Sequence, residues 1–196
     1  MEKVKYFIHL LVVLLIILVI GFVAIDSGVN LSRSITGRAT AVDVQTSAMI
    51  SNYFAITASS NLSAGIEFQI ATLPVTNKNA TKNYNVNGET DYYILVEEDS
   101  NVNVDFCLKA DGDLIDGSNS IGLGNYSWAN STSTDINTPT LISADVFTTS
   151  FVNGLINAQK GTNSYYRFWL SVPASQAPGT YLNQVNFKVI QTGNSC

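Results

Sequence analysis

The chain has 196 residues, of which 13% are charged, and its ten basic and fifteen acidic residues give a formal net charge of −5. That length suits one domain or a compact pair of domains. No basic cluster is larger than Lys78 with Lys82, so the charge pattern excludes the electrostatic footprint that is typical of a nucleic-acid-binding protein.

The N-terminus has the composition of an export segment. Phe7–Ile25 is an apolar run interrupted only by His9. As a helix with about 1.5 Å per residue it would cover roughly 28 Å, close to the hydrocarbon thickness of a bilayer. Lys3 and Lys5 precede the run and are expected to stay inside. We therefore expect everything after Asp26 to be extracellular, at the cell surface.

Two interpretations of residues 1–26 remain open: a signal peptide that is removed, and a signal anchor that is retained as a transmembrane helix. Ala24 suits cleavage, whereas Phe22 is larger than the small residue expected two positions earlier. Residues 27–38 are polar and contain glycine, which predicts a short stalk. Residues 39–196 are predicted to form an extracellular domain that begins with an N-terminal arm.

The first segment of this domain is long for a single strand. Within Val42–Ala58, seven of the nine even-numbered residues are apolar, which is the period-two pattern of a half-buried strand. Strands usually end by about 10 residues. Three explanations are open. The segment is two strands separated near Thr46–Ser47, or one strand that bends across both sheets, or a strand limited to about Ala48–Ala58. In the third case Ala39–Gln45 is an arm that fills a gap in a neighbouring subunit.

The middle of the chain is predicted to consist of short strands and turns. Apolar and polar residues alternate in "AGIEFQIATLP", which favours a strand. The Asn-rich segment Asn77–Thr90 is predicted to be a loop with a turn at Asn87-Gly88. "DYYILVEE" and "NVNVDFCLKA" flank Asp99-Ser100, an arrangement that predicts an antiparallel hairpin.

The last third of the chain completes an all-β prediction. Thr, Val and Gly residues within residues 143–160 favour a strand followed by a turn over a helix. Two longer strands end the chain, and their inward-facing residues are predicted to be Tyr166, Phe168, Leu170 and Val172, then Val185, Phe187 and Val189. Seven to nine short strands predict an antiparallel β-sandwich of immunoglobulin-like or jelly-roll type, preceded by one N-terminal hydrophobic helix.

The two cysteines, Cys107 and Cys196, are expected to lie outside the membrane, where a disulfide can form. Val104, Phe106 and Leu108 form the apolar face of their strand, so Cys107 is expected on the opposite face. A disulfide between the two cysteines is favoured. Two free thiols and an intermolecular link through Cys196 remain open.

The sequence predicts neither an enzyme nor a cofactor. The only histidine is His9, inside the hydrophobic run, so no exported histidine is available as a general base or a metal ligand. No nucleophile motif, phosphate loop or zinc spacing is present. Asp111, Asp113 and Asp116 are a weak candidate for a Ca²⁺ site. Their spacing departs from the EF-hand pattern, so a β-turn is favoured.

Five Asn-x-Ser/Thr sequons are candidates for glycosylation, and most of them fall in predicted loops. They are Asn30, Asn61, Asn79, Asn125 and Asn130. Two aromatic residues in "GNYSWANS", Tyr126 and Trp128, would suit carbohydrate binding if they are exposed. The alternative is that both pack beneath a loop.

The order of segments resembles a known group of exported proteins. An export segment is followed by "ITGRATAVDV", a long first strand, and a sandwich that closes on "RFWLSVPASQAPGTYLNQVNFKV". This layout is similar to that of prokaryotic surface-fibre subunits, namely archaeal thread and bundling-pilus subunits and biofilm-matrix fibre proteins of the TasA–camelysin type. The resemblance implies donation of an N-terminal strand into the next subunit, and it assigns that strand to about residues 39–45, with Ala39, Ala41, Val42 and Val44. The layout of this chain differs in one respect: those subunits are released from their signal peptide, whereas a clean cleavage site is hard to find in this sequence.

We therefore expect an exported structural protein of a prokaryotic, archaeal cell surface, with copies of the chain as partners in a filament. Membrane contact would be through the N-terminal helix if that helix is retained. The alternative is a membrane-anchored monomeric adhesin or a carbohydrate-binding sandwich.

Overall fold

The computed structural model describes residues 47–196, and Ile50–Cys196 form one compact unit. The hydrophobic helix, the stalk, the arm at residues 39–45 and the sequon at Asn30 lie outside the described residues, and they stay predictions. So does the domain boundary at residue 39.

The described part is almost entirely β-structure, which confirms the all-β prediction. Its strands are β1 (Ile56–Ala58), β2 (Val75–Asn79), β3 (Tyr93–Val96), β4 (Val104–Ala110), β5 (Leu114–Asp116), β6 (Asn119–Ile121), β7 (Tyr126–Ser131), β8 (Asp145–Val146), β9 (Val152–Asn153), β10 (Asn163–Val172) and β11 (Val185–Gln191). Helical structure is limited to α1 (Ser60–Ala64) and two 3₁₀ turns (Leu123–Asn125 and Leu141–Ser143). The strands outnumber the predicted seven to nine because several have only two or three residues, too few for a period-two pattern to stand out.

The strands form two main sheets in which every pair is antiparallel. The larger sheet has the order β1-β3-β10-β7-β8, and β2 also pairs with β10. The smaller sheet has the order β11-β4-β9, and β5 and β6 form a separate hairpin. The edge strands are therefore β1, β2 and β8 in the larger sheet, and β11 and β9 in the smaller one.

Facing residues of the two sheets build one core. The ring of Tyr166 on β10 meets the ring of Phe187 on β11 edge-to-face, with centroids 5.2 Å apart. Five consecutive residues are buried in each of β4 (residues 104–108) and β10 (residues 166–170), so both strands are covered on both faces, and the buried residues include the predicted inward face of β10. Burial of each large apolar side chain contributes about 1.5–3 kcal/mol, so this shared core holds the sheets together.

The predicted hairpin around Asp99-Ser100 is wrong. β3 lies in the larger sheet and β4 in the smaller one, so the connection crosses from one sheet to the other. Turn residues fix a change of direction but not the sheet in which the next strand lies. Both strands have one strongly apolar face, and that pattern suits two facing sheets as well as it suits two neighbours in one sheet.

Two other predictions in the middle of the chain also need correction. "AGIEFQIATLP" forms no strand, and β2 occupies residues that were assigned to the Asn-rich loop. The turn at Asn87-Gly88 is present, since the Gly88 amide donates to the Asn85 carbonyl at 3.0 Å and Gly88 has a φ of +81°. Within Val42–Ala58, the described residues form a strand only at β1.

A buried arginine anchors two loops on the outer face of the larger sheet. Arg167 on β10 is fully buried, and its guanidinium lies 4.0 Å from the ring centroid of Tyr84. It donates to the carbonyl oxygens of Asn83 (3.0 Å), Pro139 (2.8 Å), Gly88 (2.7 Å) and Asp135. Burial lowers the pKa of Arg167, while Tyr84 and Asp135 favour the charged form. These bonds give a buried cation several acceptors in place of one carboxylate.

The C-terminal tail is fastened to the outer face of the smaller sheet. A disulfide joins Cys107 to Cys196, with the two Cα atoms 5.8 Å apart. The Asp105 carboxylate accepts hydrogen bonds from Thr192 Oγ1 (2.8 Å), the Gly193 amide (3.3 Å) and the Asn157 amide (2.7 Å). Of the pairings left open by the sequence, the structure therefore has the intramolecular one.

Candidate functional site: an open cleft between two edge strands

The edge of β11 that faces away from β4 is unpaired. In an antiparallel ladder, successive residues direct their backbone groups to opposite sides. The Gln184 carbonyl accepts from the Asp111 amide at 2.9 Å, so Gln184 points toward the β4 side. By alternation Val185, Phe187 and Val189 point their N–H and C=O groups away from β4. None of these groups has a backbone partner within residues 47–196.

The free edge of β1 has the same character. The Ala55 carbonyl accepts from the Glu97 amide at 2.9 Å, and the Ser59 amide donates to the Tyr93 carbonyl at 2.8 Å. These bonds direct residues 55, 57 and 59 toward β3. Ile56 and Ala58 consequently present their backbone groups to the opposite, unpaired side.

The same residues on both edges turn their side chains toward the core. Ile56 lies opposite Val96, and Ala58 lies opposite Ile94, so all four share the inner face of the larger sheet. Val96 and Ile94 are at most 2% exposed, whereas Ile56 is 41% exposed. Phe187 on the facing sheet is half-buried as well. The apolar side chains of the core are fully buried at its centre, but along this side they are only partly covered.

A cleft of about 410 Å³ opens between these two edges. It is lined by Ile56, Ala58, Leu62, Ser63, Gly65, Ile66, Ile94, Tyr126, Asn183, Gln184, Val185 and Phe187. None of these residues is charged. A cavity of about 1000 Å³ adjoins the cleft and shares Gly65, Ile66, Tyr126 and Asn183 with it. The opening therefore follows the chain from the start of β11 back through residues 176–184.

The wall opposite residues 176–184 is an extended segment without a strand partner. In residues 65–73, Ile66, Phe68 and Ile70 are half-buried and the residues between them are exposed. The alternation expected from the sequence is therefore present in burial. The Glu67 carbonyl accepts from the Thr81 amide at 2.9 Å. The amides of residues 66–72 have no protein partner among the described residues.

Tyr126 forms the floor of both openings. Its ring packs edge-to-face on Phe68, with centroids 5.6 Å apart, and against Phe147 at 4.4 Å. Burial raises the pKa of the Tyr126 phenol well above its usual range, and nearby Tyr92 adds to the effect. The floor is thus aromatic and uncharged at neutral pH.

One end of the cleft is closed by the chain that leads into β1. Asn52 Nδ2 donates to Gln191 Oε1 at 2.8 Å, and the Tyr53 amide donates to Asn101 Oδ1 at 2.7 Å. These bonds place residue 52 beside the C-terminal end of β11. The compact unit therefore begins at this closed end of the cleft.

The arrangement suits the binding of an extended, uncharged peptide. Unpaired N–H and C=O groups on two edges can form a hydrogen-bond ladder with an inserted strand, and the apolar floor can accept its alternate side chains. Sequence reasoning identified a segment that could be inserted but missed the cleft. The signal was indirect: the inward faces of the first and last strands were predicted, but their lack of neighbours was not.

The three aspartates proposed for Ca²⁺ do not form a metal site. Asp111 Oδ1 accepts from the Gln184 amide at 2.8 Å, and Asp113 Oδ1 accepts from the Leu123 amide at 2.9 Å. Asp116 ends β5 beside Gly179. Within residues 47–196, no group of three or more His, Cys, Asp or Glu side chains could hold a metal ion. Asp111 and Asp113 accept hydrogen bonds from different backbone amides instead of converging on one point.

The predicted aromatic binding pair is buried. Tyr126 and Trp128 are each 2% exposed and belong to the core, so the alternative that they pack inside is correct. Both lie on β7, whose inner face they form together.

Four of the sequons lie in the described part. Asn79 is on β2 and exposed, whereas Asn130 is on β7, opposite the buried Tyr166. Asn61 lies in α1 and Asn125 ends a 3₁₀ turn, and both are half-buried. Two of the four are thus in strands instead of the predicted loops. Their glycosylation stays a prediction.

Among residues 47–196, none of the helices has the length and apolar character needed to cross a bilayer. Comparison of the chain with models of protein families, with curated proteins and with solved structures finds no match in any of the three.

Proposed function

We propose that this protein is an exported, non-catalytic structural subunit of a surface filament. One copy donates its N-terminal segment, about residues 39–45, into the cleft of the next copy. The observation that supports this proposal is the cleft itself, which has two unpaired edges, an uncharged lining, exposed apolar side chains on β1 and half-buried apolar side chains on β11. The proposal includes a complete sandwich, of immunoglobulin-like or jelly-roll type, that forms only after the strand has been added.

The chemistry of residues 39–45 fits the cleft. Val42 and Val44 alternate and would point toward the apolar floor, while Asp43 between them would point away from it. Seven residues in a strand cover about 23 Å at about 3.3 Å each. β11 also has seven residues, from Val185 to Gln191, so the two strands can pair along their full length.

Donation to a neighbour, and not to the same copy, produces the filament. The arm could enter its own cleft only by reversing direction between residue 45 and residue 52, which lies beside Gln191. Entry into the next copy needs no such reversal. Each copy would then use one arm and one cleft in a head-to-tail contact that does not close on itself, and such a contact propagates.

The test is filament formation by the full chain, solubilised in detergent and examined by negative-stain electron microscopy. The double variant Val42→Asp with Val44→Asp places charges on the face that would enter the core, and we expect it to remain monomeric. Gln45→Asp is the matched control, because it adds a charge on the opposite face, and it should still form filaments.

Filaments from the double variant would contradict the assignment of the donor segment. If the unmodified chain stays monomeric over a wide concentration range, self-insertion or the monomeric adhesin becomes the better account.

A further inference from the structure

The strand proposed to receive the donor is also the last strand of the chain. β11 pairs with β4 along its whole length, but it has no neighbour on its other side among the described residues. An edge strand with a single neighbour opens locally more readily than a central strand. β11 must therefore keep its conformation, without a neighbour on its free edge, until a donor strand binds.

The disulfide acts at the middle of this strand. Cys107 on β4 lies directly opposite Lys188, the central residue of β11. Cys196 is bonded to Cys107, so the chain folds back after Gln191 and ends over the outer face of the same strand pair. Lys188 Nζ donates to the Cys196 carbonyl at 3.2 Å. The disulfide therefore fixes the last residues of the tail across the outer face of the β11–β4 pair.

The other contacts hold only the beginning of the tail. The Thr192 amide donates to the Asn103 carbonyl at 3.0 Å, and the Asp105 carboxylate accepts from Thr192 and Gly193. Without the disulfide, the tail beyond Gly193 would keep the bond between the Asn194 amide and the Gln191 carbonyl, the contact with Lys188, and the contact of Cys196 Sγ with Asn153 Oδ1 at 2.6 Å. Reduction would therefore leave residues 194–196 held only by these few contacts, next to the receiving strand.

We infer that oxidation of Cys107 and Cys196 controls assembly, because the closed bond holds β11 in the conformation that accepts a donor strand. This inference rests on the proposed function. In the oxidation step, the two thiols lose two electrons and two protons by thiol–disulfide exchange with an external disulfide. That disulfide is reduced to two thiols while the S–S bond of the protein forms. The chain would stay unable to assemble until it reaches an oxidising compartment.

The test measures donor binding and strand opening on the same sample. The probe is a fluorescent synthetic peptide with the sequence of residues 39–45, and the receiver is the full chain in detergent with Val42→Asp and Val44→Asp. Anisotropy reports peptide affinity for the oxidised and the reduced receiver. Hydrogen exchange followed by mass spectrometry reports opening of β11 and, as an internal reference, of β10.

We expect reduction to weaken peptide binding at least tenfold and to speed exchange in β11, with β10 unchanged. Cys107→Ser combined with Cys196→Ser should behave as the reduced protein does, and should not respond to reductant.

Three results would be decisive in the other direction. Equal affinity before and after reduction would overturn the redox inference and leave the proposed function standing. Faster exchange throughout β10 would also overturn it, because the bond would then be a general stabiliser of the fold. No binding to the oxidised receiver would refute the proposed function itself.

Discussion

A proline at position 189 should prevent β11 from accepting a donor strand without preventing the domain from folding. The Val189 amide points to the open side of β11, so a proline there removes no hydrogen bond of the ladder with β4. Proline is tolerated on an edge strand in such a position. It does remove a donor that an inserted strand needs, and its ring projects into the space that the incoming backbone would occupy. We expect Val189→Pro to fold and to lose assembly.

The size of the effect follows from the contacts. One hydrogen bond contributes about 0.5–1.5 kcal/mol net, and steric exclusion by the ring adds to this loss. A loss of about 1.4 kcal/mol corresponds to tenfold weaker binding, so affinity for the donor peptide should fall by at least tenfold. Val189→Ala is the matched control: it loses the same side-chain packing and keeps the N–H group. Lys188→Pro removes a bond to β4 and should lower the thermal stability directly.

The assay uses two variants that each lack one half of the contact. The full chain with Val189→Pro keeps its arm, and the chain with Val42→Asp and Val44→Asp keeps its cleft. Each alone should be monomeric in detergent by native mass spectrometry, and an equimolar mixture should give a one-to-one dimer. Filaments from Val189→Pro at the rate of Val189→Ala would refute the assignment of β11 as the receiving strand.

Three further predictions concern the domain itself. The hydrogen bonds from Asn157, Thr192 and Gly193 outweigh the cost of burial and lower the pKa of Asp105. Its contribution to stability should thus be complete above about pH 4 and be lost as the pH falls through the lowered pKa, and Asp105→Asn should flatten this dependence in urea titrations. Arg167→Met leaves four carbonyls without their donor, so we expect a loss on the order of 4 kcal/mol in the free energy of unfolding, with Arg167→Lys intermediate, by urea denaturation. A methyl group at Gly154 would lie 2.7 Å from Leu108 Cδ1, so Gly154→Ala should cost about 1–3 kcal/mol by overpacking, seen as a lower melting temperature in circular dichroism.

The inward faces of the longer strands could be predicted because alternate residues of a strand lie on the same face of the sheet. Phe168 and Leu170 on β10, and Phe106 and Leu108 on β4, lie where the period-two pattern places them. The pattern carries no information about neighbours. For that reason the sequence predicts a hairpin between β3 and β4, whereas the connection crosses from one sheet to the other.

The anchor at Arg167 could not be predicted for a different reason. Its acceptors are carbonyl groups, which every residue has, and they come from two loops that lie far apart in sequence. The only signal was one charged residue inside the otherwise uncharged strand "SYYRFWLSV". Such a residue is normally expected to face solvent, whereas Arg167 is fully buried.

Only one part of the candidate site, the segment to be inserted, could be predicted from the sequence. Residues 39–45 can be predicted to be such a segment because they have a period-two pattern with one charge, Asp43. The cleft depends on which strands end without a partner, and this is a property of the folded topology. β1 and β11 are far apart in the chain, and only the packing of two sheets brings their free edges to the same opening.

The edge strands of the two main sheets support the proposal that this opening is a binding site. Proteins usually protect edge strands by shortening them, covering them or placing charges on them. β8 and β9 have two residues each, β1 has three, and β2 has five, of which all but Val75 are exposed and polar, so none of these edges alone offers a foreign strand a long apolar face. β11 has seven residues, and its inward-facing Val185, Phe187 and Val189 remain half-buried beside an uncharged cleft. A chain that keeps its other edges short or polar but leaves its longest, apolar edge open exposes itself to aggregation, unless a particular strand fills the cleft. Residues 39–45 of a second copy of the chain, which the proposed function assigns to this cleft, have the length and the alternation to do so.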